Sequence, residues 1–244
     1  MQITAHVINV AERTDRWEKF MSDWQDQTTI KIEREDAFKP DGTEITNVYD
    51  AVFLKHREIL TKAKERGEKY CLIMEDDAIP GKNFAERFEI IYEYLENHED
   101  QWDCFNGGMI GIGSSVQGII RLTHLKTNLQ PPTMLLKANR GCMGHFLILK
   151  VDSVLEKVKD WELEHKPMYD GWYPSKLNCL ASIPFLSQQS DGYSDSSGDQ
   201  RQWTDRFALE EDAMLYSLKE FIYYPSSSLS SREDAFDSQP LEGK

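Results

Sequence analysis

Two hydrophobic periods alternate along this chain. Residues 3–10 form a short apolar run that reads as a strand, and over residues 12–24 the spacing of Trp17, Phe20, Met21 and Trp24 predicts an amphipathic helix. Residues 28–33 alternate as a second strand. Residues 47–66 carry a long helical pattern, with Asn47 placed to cap its start and Gly67 to end it. A dense apolar run, Tyr70-Cys71-Leu72-Ile73-Met74, then predicts a buried strand that stops on Glu75-Asp76-Asp77. Beyond it the pattern gives a helix over 83–97, strands over 103–109, 133–137 and 145–150, and a helix over 151–161. This βαβαβ order predicts an α/β layered fold with a mainly parallel central sheet. No internal repeat interrupts it. Residues 191–202 are polar and rich in turn formers, and 226–231 with the acidic end to Lys244 read as a mobile tail.

Composition narrows the class. A chain of 244 residues with 40% hydrophobic content buries a full core, as one large α/β domain or one domain with a small appendage. Lys and Arg number 28 against 42 Asp and Glu, and the resulting charge of -14 sets up a field that repels nucleic acid and anionic membranes. Cys71, Cys104, Cys142 and Cys179 lie far apart without a paired metal-ligand spacing, so they read as reduced thiols of a cytoplasmic protein. The amino terminus passes straight into a strand, and no run approaches the roughly eighteen apolar residues of a membrane span. Neither a signal peptide nor a membrane span is expected.

The acidic triplet changes the picture. Three adjacent carboxylates repel one another, and at the end of a buried strand a divalent cation with hard oxygen ligands is an economical counter-charge. Strand alternation turns Glu75 and Asp77 one way and Asp76 the other, the geometry of an acid-x-acid clamp. Ligands of open α/β sheets gather at the carboxyl ends of strands, where these acids stand. All-oxygen ligation favours Mn²⁺ or Mg²⁺ over zinc. The plain alternative is a solvated strand end leading into the turn Ala78-Ile79-Pro80-Gly81. Gly107, Gly108, Gly111 and Gly113 make no dinucleotide fingerprint, and no P-loop is present.

A series of motifs carries a resemblance. Residues 7–16 (Val-Ile-Asn-Val-Ala-Glu-Arg-Thr-Asp-Arg), the strand ending on Glu75-Asp76-Asp77, and Trp102-Asp103-Cys104-Phe105-Asn106-Gly107-Gly108 resemble glycosyltransferase family 25. That family includes lipopolysaccharide-type and collagen-type galactosyltransferases with a GT-A fold, a Rossmann-like α/β architecture. Gly141-Cys142-Met143-Gly144-His145-Phe146, then Pro167-Met168-Tyr169-Asp170, then Pro184-Phe185-Leu186-Ser187-Gln188-Gln189 with Tyr193-Ser194-Asp195 continue it in the family's order. The likeness spans roughly the first 195 residues at plausible loop lengths. The family's Gly-Cys-x-x-Ser-His element is represented here by His56 alone, and nothing after Ser194 and Asp195 aligns.

The resemblance implies a transferase domain over 1–195, with a donor half to about residue 113 and an acceptor half from about 114, and an extension over 196–244 packed on it. It implies metal-dependent, inverting transfer of a hexose from a nucleotide-diphosphate sugar, a UDP-hexose by family expectation, to a hydroxyl of a glycan or other acceptor. Metal held by Asp77 first and Glu75 second would neutralise the leaving diphosphate, with Asp76 on the ribose, although the roles within the triplet are open to permutation. His145 is a candidate further ligand, in competition with the commoner use of such a residue as a structural histidine. The donor is assigned to Asn9, Val10, Arg13, Arg16, His56, Asp76, Gly107, Gly108 and Gln188. For Arg16 a surface ion pair at helical spacing is an equal alternative, and for the glycines a simple turn. Asp170, in an aromatic loop over 167–174, is the candidate general base, with Tyr169, Trp172 and Tyr173 suited to stacking on a sugar. Ser194 and Asp195 are assigned to the pocket lining. Two other readings stay open: a carbohydrate-binding or degenerate scaffold, and a sugar nucleotidyltransferase, which the missing glycine-rich phosphate loop disfavours.

Overall fold

Strand β1 (Ile3–Asn9), helix α1 (Thr14–Trp24), strand β2 (Ile30–Asp36), helix α2 (Val48–Glu65) and strand β3 (Tyr70–Glu75) form the βαβαβ unit that the periodicity predicts. The structure is a computed structural model describing residues 3–42, 45, 47–111, 119–125, 128–163, 168–194 and 198–223. The tail expected over 226–244, and Gly113, Pro167 and Asp195, lie outside the described residues.

β1 pairs in parallel with β2 on one side and β3 on the other. Right-handed crossovers then force α1 and α2 onto opposite faces. Phe20 and Trp24 of α1 pack with Ala5, Val7, Leu72 and Met74, whereas Phe53, Ile59 and Leu60 of α2 pack with Ile8, Cys71 and Ile73. The strand order reverses between β1 and β3, which opens a crevice at their carboxyl ends. The Asn47 side chain accepts from the Asp50 amide at 2.9 Å, and Gly67, at φ +73°, closes α2 in the left-handed conformation.

The chain continues through β4 (Ala78–Pro80), α3 (Phe84–Asn97), β5 (Cys104–Asn106), β6 (Ile119–His124), β7 (Met134–Ala138), β8 (Phe146–Lys150), α4 (Val151–Leu163), α5 (Tyr169–Lys176), β9 (Cys179–Ile183), β10 (Ser187–Gln189), β11 (Gly192–Ser194), β12 (Asp199–Arg201) and α6 (Trp203–Tyr223). The central sheet has eight strands in the order β2-β1-β3-β8-β5-β9-β7-β6. β7 and β8 run against the rest, so the sheet is mixed and mainly parallel, as expected. β4 pairs with β10, and β11 with β12, as small antiparallel ribbons beside it.

Two local expectations change. β3 ends at Glu75, and Asp76 and Asp77 occupy a turn, so strand alternation does not extend to them. Asp170 lies in the first turn of α5, with Pro174 inside that helix, and not in a loop. Beyond β12, α6 carries the buried Phe207, Met214 and Leu218 at helical spacing.

Candidate functional site

The acids stand at the reversal point of the sheet. Asp77 is the junction between two pairs. Its Oδ2 lies 3.0 Å from Arg16 Nη2, which also stands 3.0 Å from Asp76 Oδ1. Its Oδ1 accepts from Gln189 Nε2 at 3.3 Å, and the same nitrogen reaches Glu75 Oε2 at 3.4 Å. Each pair of carboxylates thus shares one protein N–H donor. The Asn9 side chain, at the end of β1, donates to Asp76 Oδ2 at 2.5 Å and is itself fixed by Arg34 Nε at 2.9 Å. Arg34 stacks over Trp17, 5.2 Å from the ring centroid, and so braces the β1–α1 turn.

Burial pushes the Glu75 carboxyl up to about 8, with the neighbouring Asp77 charge adding to the shift. Asp77 rises to about 6, again from burial first, against the lowering effect of Arg16. A hard cation would relieve both.

A cleft of about 280 Å³ opens over Asp76 and Asp77, lined also by Arg13, Asp15, Arg16 and Lys19 at the start of α1 and by Asp191 and the β11–β12 ribbon with Trp203. Three cations and four acids, Asp15, Asp76, Asp77 and Asp191, line it, a set that offers carboxylates to a metal and cations to a diphosphate. A larger groove of about 660 Å³ lies between α2 and α4, but its ionic groups, such as the Lys64–Asp152 pair at 2.8 Å, are solvated surface charges.

The other predicted residues are dispersed. Val10 contributes its carbonyl to the Arg13 amide at 2.8 Å. Arg13 pairs with Asp15 at 3.1 Å and lines the cleft. Glu75, expected as the second metal ligand, does not line it: Oε1 accepts from the Tyr169 hydroxyl at 2.5 Å and Oε2 faces Gln189. His56, expected at the donor, is fully buried on the α2–α5 seam, 2.9 Å from the Tyr173 hydroxyl, and burial lowers it to about 3. His145 is likewise fully buried, edge-on to Phe207 of α6, and burial lowers it to about 4. Gly107 and Gly108 make room for protein: a Cβ on Gly107 would stand 2.6 Å from the Phe146 ring, and one on Gly108 would stand 2.0 Å from the Ser187 carbonyl oxygen. Asp170 bonds the Gly171 amide at 2.9 Å, with its carboxyl raised by burial. Tyr169, Trp172 and Tyr173, expected to stack on sugar, are buried in the core.

Sequence reasoning missed Gln189 and Tyr169 as partners of the acids. Gln188 was assigned to the donor, but alternation along β10 buries Ser187 and Gln189 together and turns Gln188 the other way. The Tyr169 ring sits against Gly144, where a Cβ would come within 2.5 Å of it. That small residue beside an aromatic was the only sequence signal for the contact.

The donor set fits a hard divalent ion in kind. Its ligand atoms are carboxylate oxygens, and Gln189 Oε1 is buried without a hydrogen-bond partner among the described residues. Among those residues no three His, Cys, Asp or Glu side chains are gathered as a closed metal cluster. Arg16, Gln189 and Tyr169 hold the acids instead.

No family model and no curated protein matches this sequence. Among solved structures, the chain is similar to A197 from STIV, at 11% identity and a TM-score of 0.41, covering 83% of this chain and 94% of that one. It is similar to a glycosyltransferase involved in the glycosylation of the major capsid of PBCV-1, at 13% identity and a TM-score of 0.38, covering 72% and 73%. A putative glucose-1-phosphate thymidylyltransferase from Bacillus anthracis, in complex with a sucrose, matches at 13% identity and a TM-score of 0.34, covering 85% and 76%.

Proposed function

We propose that this chain is a metal-dependent glycosyltransferase of GT-A type, moving a hexose from a nucleotide-diphosphate sugar to a hydroxyl of a glycan or other acceptor with inversion. The observation that carries the reading is the pair Asp76 and Asp77 at the β1/β3 reversal point, facing a cleft walled by Arg13, Arg16 and Lys19. The motif resemblance to glycosyltransferase family 25 supplies the choice of a UDP-hexose.

In this proposal Asp77 and Asp76 hold the cation, Mn²⁺ or Mg²⁺, which when bound supplies Lewis-acid neutralisation of the leaving diphosphate. Arg13 and Lys19 balance the remaining phosphate charge. Asn9, held by Arg34, fixes Asp76 and with it the β1–α1 turn that receives the nucleotide. Asp170, at the amino end of α5, takes the proton from the acceptor hydroxyl. Its raised carboxyl gives it basicity closer to neutral pH than a surface aspartate has. Tyr169, its neighbour, ties α5 to β3 through Glu75.

The test is nucleotide release from a panel of nucleotide sugars, with Mn²⁺ and with chelator, for the intact chain and for Asp77→Ala. One donor cleaved only with metal, and at least about 100-fold more slowly by Asp77→Ala, supports the proposal. Glycan binding indifferent to metal, with no donor cleaved or bound, favours a binding module instead. No helix among the described residues is long and apolar enough to cross a membrane.

A further inference from the structure

The two pairs that meet at Asp77 are not equivalent. The Glu75–Asp77 pair lies on the inner side, with Glu75 bonded to Tyr169 and both acids facing Gln189 Nε2. The Asp76–Asp77 pair opens on the cleft. There a single nitrogen, Arg16 Nη2, stands 3.0 Å from one oxygen of each acid, which is where a cation shared by the two carboxylates would be held. A guanidinium and a divalent ion cannot both fill that gap, because their like charges would repel at contact distance in a half-buried site. Arg16 sits in the first turn of α1, on a rigid helix, and its long side chain is the movable part. Arg13 and Lys19 line the same stretch of cleft, where Arg13 pairs with Asp15 and Lys19 with Asp23 at 2.7 Å.

We infer that Arg16 is the built-in counter-ion of this site: a divalent cation enters between Asp76 and Asp77 only by displacing it, and the displaced guanidinium passes to the donor's diphosphate, so that metal and donor load together. The inference rests on the metal-dependent reading above and goes beyond it in assigning the cation's position and the coupling of its binding to that of the donor. It places the metal on Asp76 and Asp77, with Glu75 an inner support. A diphosphate is the matching recipient for Arg16, since a guanidinium fork trades two carboxylate oxygens for two phosphate oxygens at little cost in hydrogen bonds. Gln189 Oε1, buried without a hydrogen-bond partner among the described residues, belongs to the side chain that holds Asp77 from the inner side.

The experiment is a Mn²⁺ titration of the full chain, following free Mn²⁺ by electron paramagnetic resonance, with and without UDP as the diphosphate probe, against protein-free controls. The variants are Arg16→Gln, Lys19→Gln, Asp77→Asn and Glu75→Gln. Arg16→Gln is expected to bind Mn²⁺ alone about tenfold more tightly than the parent chain and to lose most of the tightening that UDP brings. Lys19→Gln removes the same charge from the same wall without vacating the gap, and is expected to shift Mn²⁺ affinity by about twofold or less. Glu75→Gln is expected to retain Mn²⁺ binding, and Asp77→Asn to lose it. Equal Mn²⁺ affinity for the parent and a folded Arg16→Gln, or equal tightening by Lys19→Gln, overturns the counter-ion exchange while leaving the metal-dependent transferase standing if Asp77→Asn has lost the ion. Absence of Mn²⁺ binding in every form, even with UDP, overturns both. A variant that loses its far-ultraviolet dichroism is replaced by Arg16→Lys, whose single ammonium bridges the acids less well and is expected to fall between.

Discussion

Tyr169 and Gln189 hold Glu75 through two donors, at 2.5 and 3.4 Å, at the partly buried end of β3. A carboxyl so placed depends on those donors, because a buried acceptor stripped of its partner keeps its desolvation cost. Tyr169→Phe keeps the ring against Gly144 and removes only the hydroxyl, so it is expected to lower stability by about 1–3 kcal/mol in urea unfolding without changing the denaturant slope. An unchanged midpoint would mean that the hydroxyl contributes nothing net. Arg34 makes the complementary case on the other side of the triplet. Its Nε and Nη2 converge on Asn9 Oδ1, and Nη2 also donates to the Ala11 carbonyl at 3.1 Å. A lysine has no such fork. Arg34→Lys is therefore expected to raise the donor KM about tenfold with a smaller effect on kcat, because it loosens the turn that receives the nucleotide rather than the reacting atoms. A fall in kcat at constant KM would instead place Asn9 and Arg34 in the chemical step.

At the level of elements, the site is assembled where β5, β8 and β10 approach more closely than side chains allow. Gly108→Ala would set a Cβ 2.0 Å from the Ser187 carbonyl oxygen, a backbone atom that moves only if β10 moves. Because β10 carries Gln189 and pairs with the β4 segment just after the acids, the expected cost is about 3 kcal/mol or more in thermal or urea unfolding, together with weakened Mn²⁺ binding. A variant as stable as the parent would show that β10 is free to shift. This crowding also explains what sequence could and could not reveal. The first half was legible because each element announces itself locally: the apolar run of β3 and the Asn47 and Gly67 ends of α2 depend on near neighbours alone. The acids were legible as a strand end, but not which way each turns, because β3 stops at Glu75 and the turn at Asp76 and Asp77 follows from tertiary contacts such as Trp24 Nε1 to the Ala78 carbonyl at 2.8 Å. Gln189 was hidden behind Gln188, since only the β4–β10 register decides which of two adjacent glutamines faces the acids. α6 escaped notice for a similar reason. The meaning of its apolar positions comes from Phe207 meeting His145 and Phe185 across the fold.

Over the whole molecule, buried ionisable groups of opposite sense set the response to acid. His56 and His145 titrate near 3 and 4 in the fold against 6.5 in the unfolded chain, so their stabilising contribution is complete above about 6.5 and is lost as pH falls toward the folded values. Glu75 runs the other way. Its carboxyl titrates near 8 in the fold against 4.5 when unfolded, so the folded state takes up the proton first and acidification between those values favours folding. Asp77 acts likewise between about 6 and 3.8, and Asp170 and Glu211, raised by burial, share that sign. The metal-free protein is therefore expected to hold its stability down to about pH 4.5, the two histidines being offset by the carboxyls, and to lose it below, where the carboxyls are saturated and the histidines continue to charge. Glu75→Gln separates the two contributions. The variant keeps the histidines and lacks the compensating carboxyl, so its stability relative to the parent is expected to fall by about 1.4 kcal/mol per pH unit between 8 and 4.5, read from urea midpoints in chelator. Parallel profiles for the two proteins would show that Glu75 is ionised in the fold across this range, and that Tyr169 and Gln189 stabilise the carboxylate more than burial opposes it.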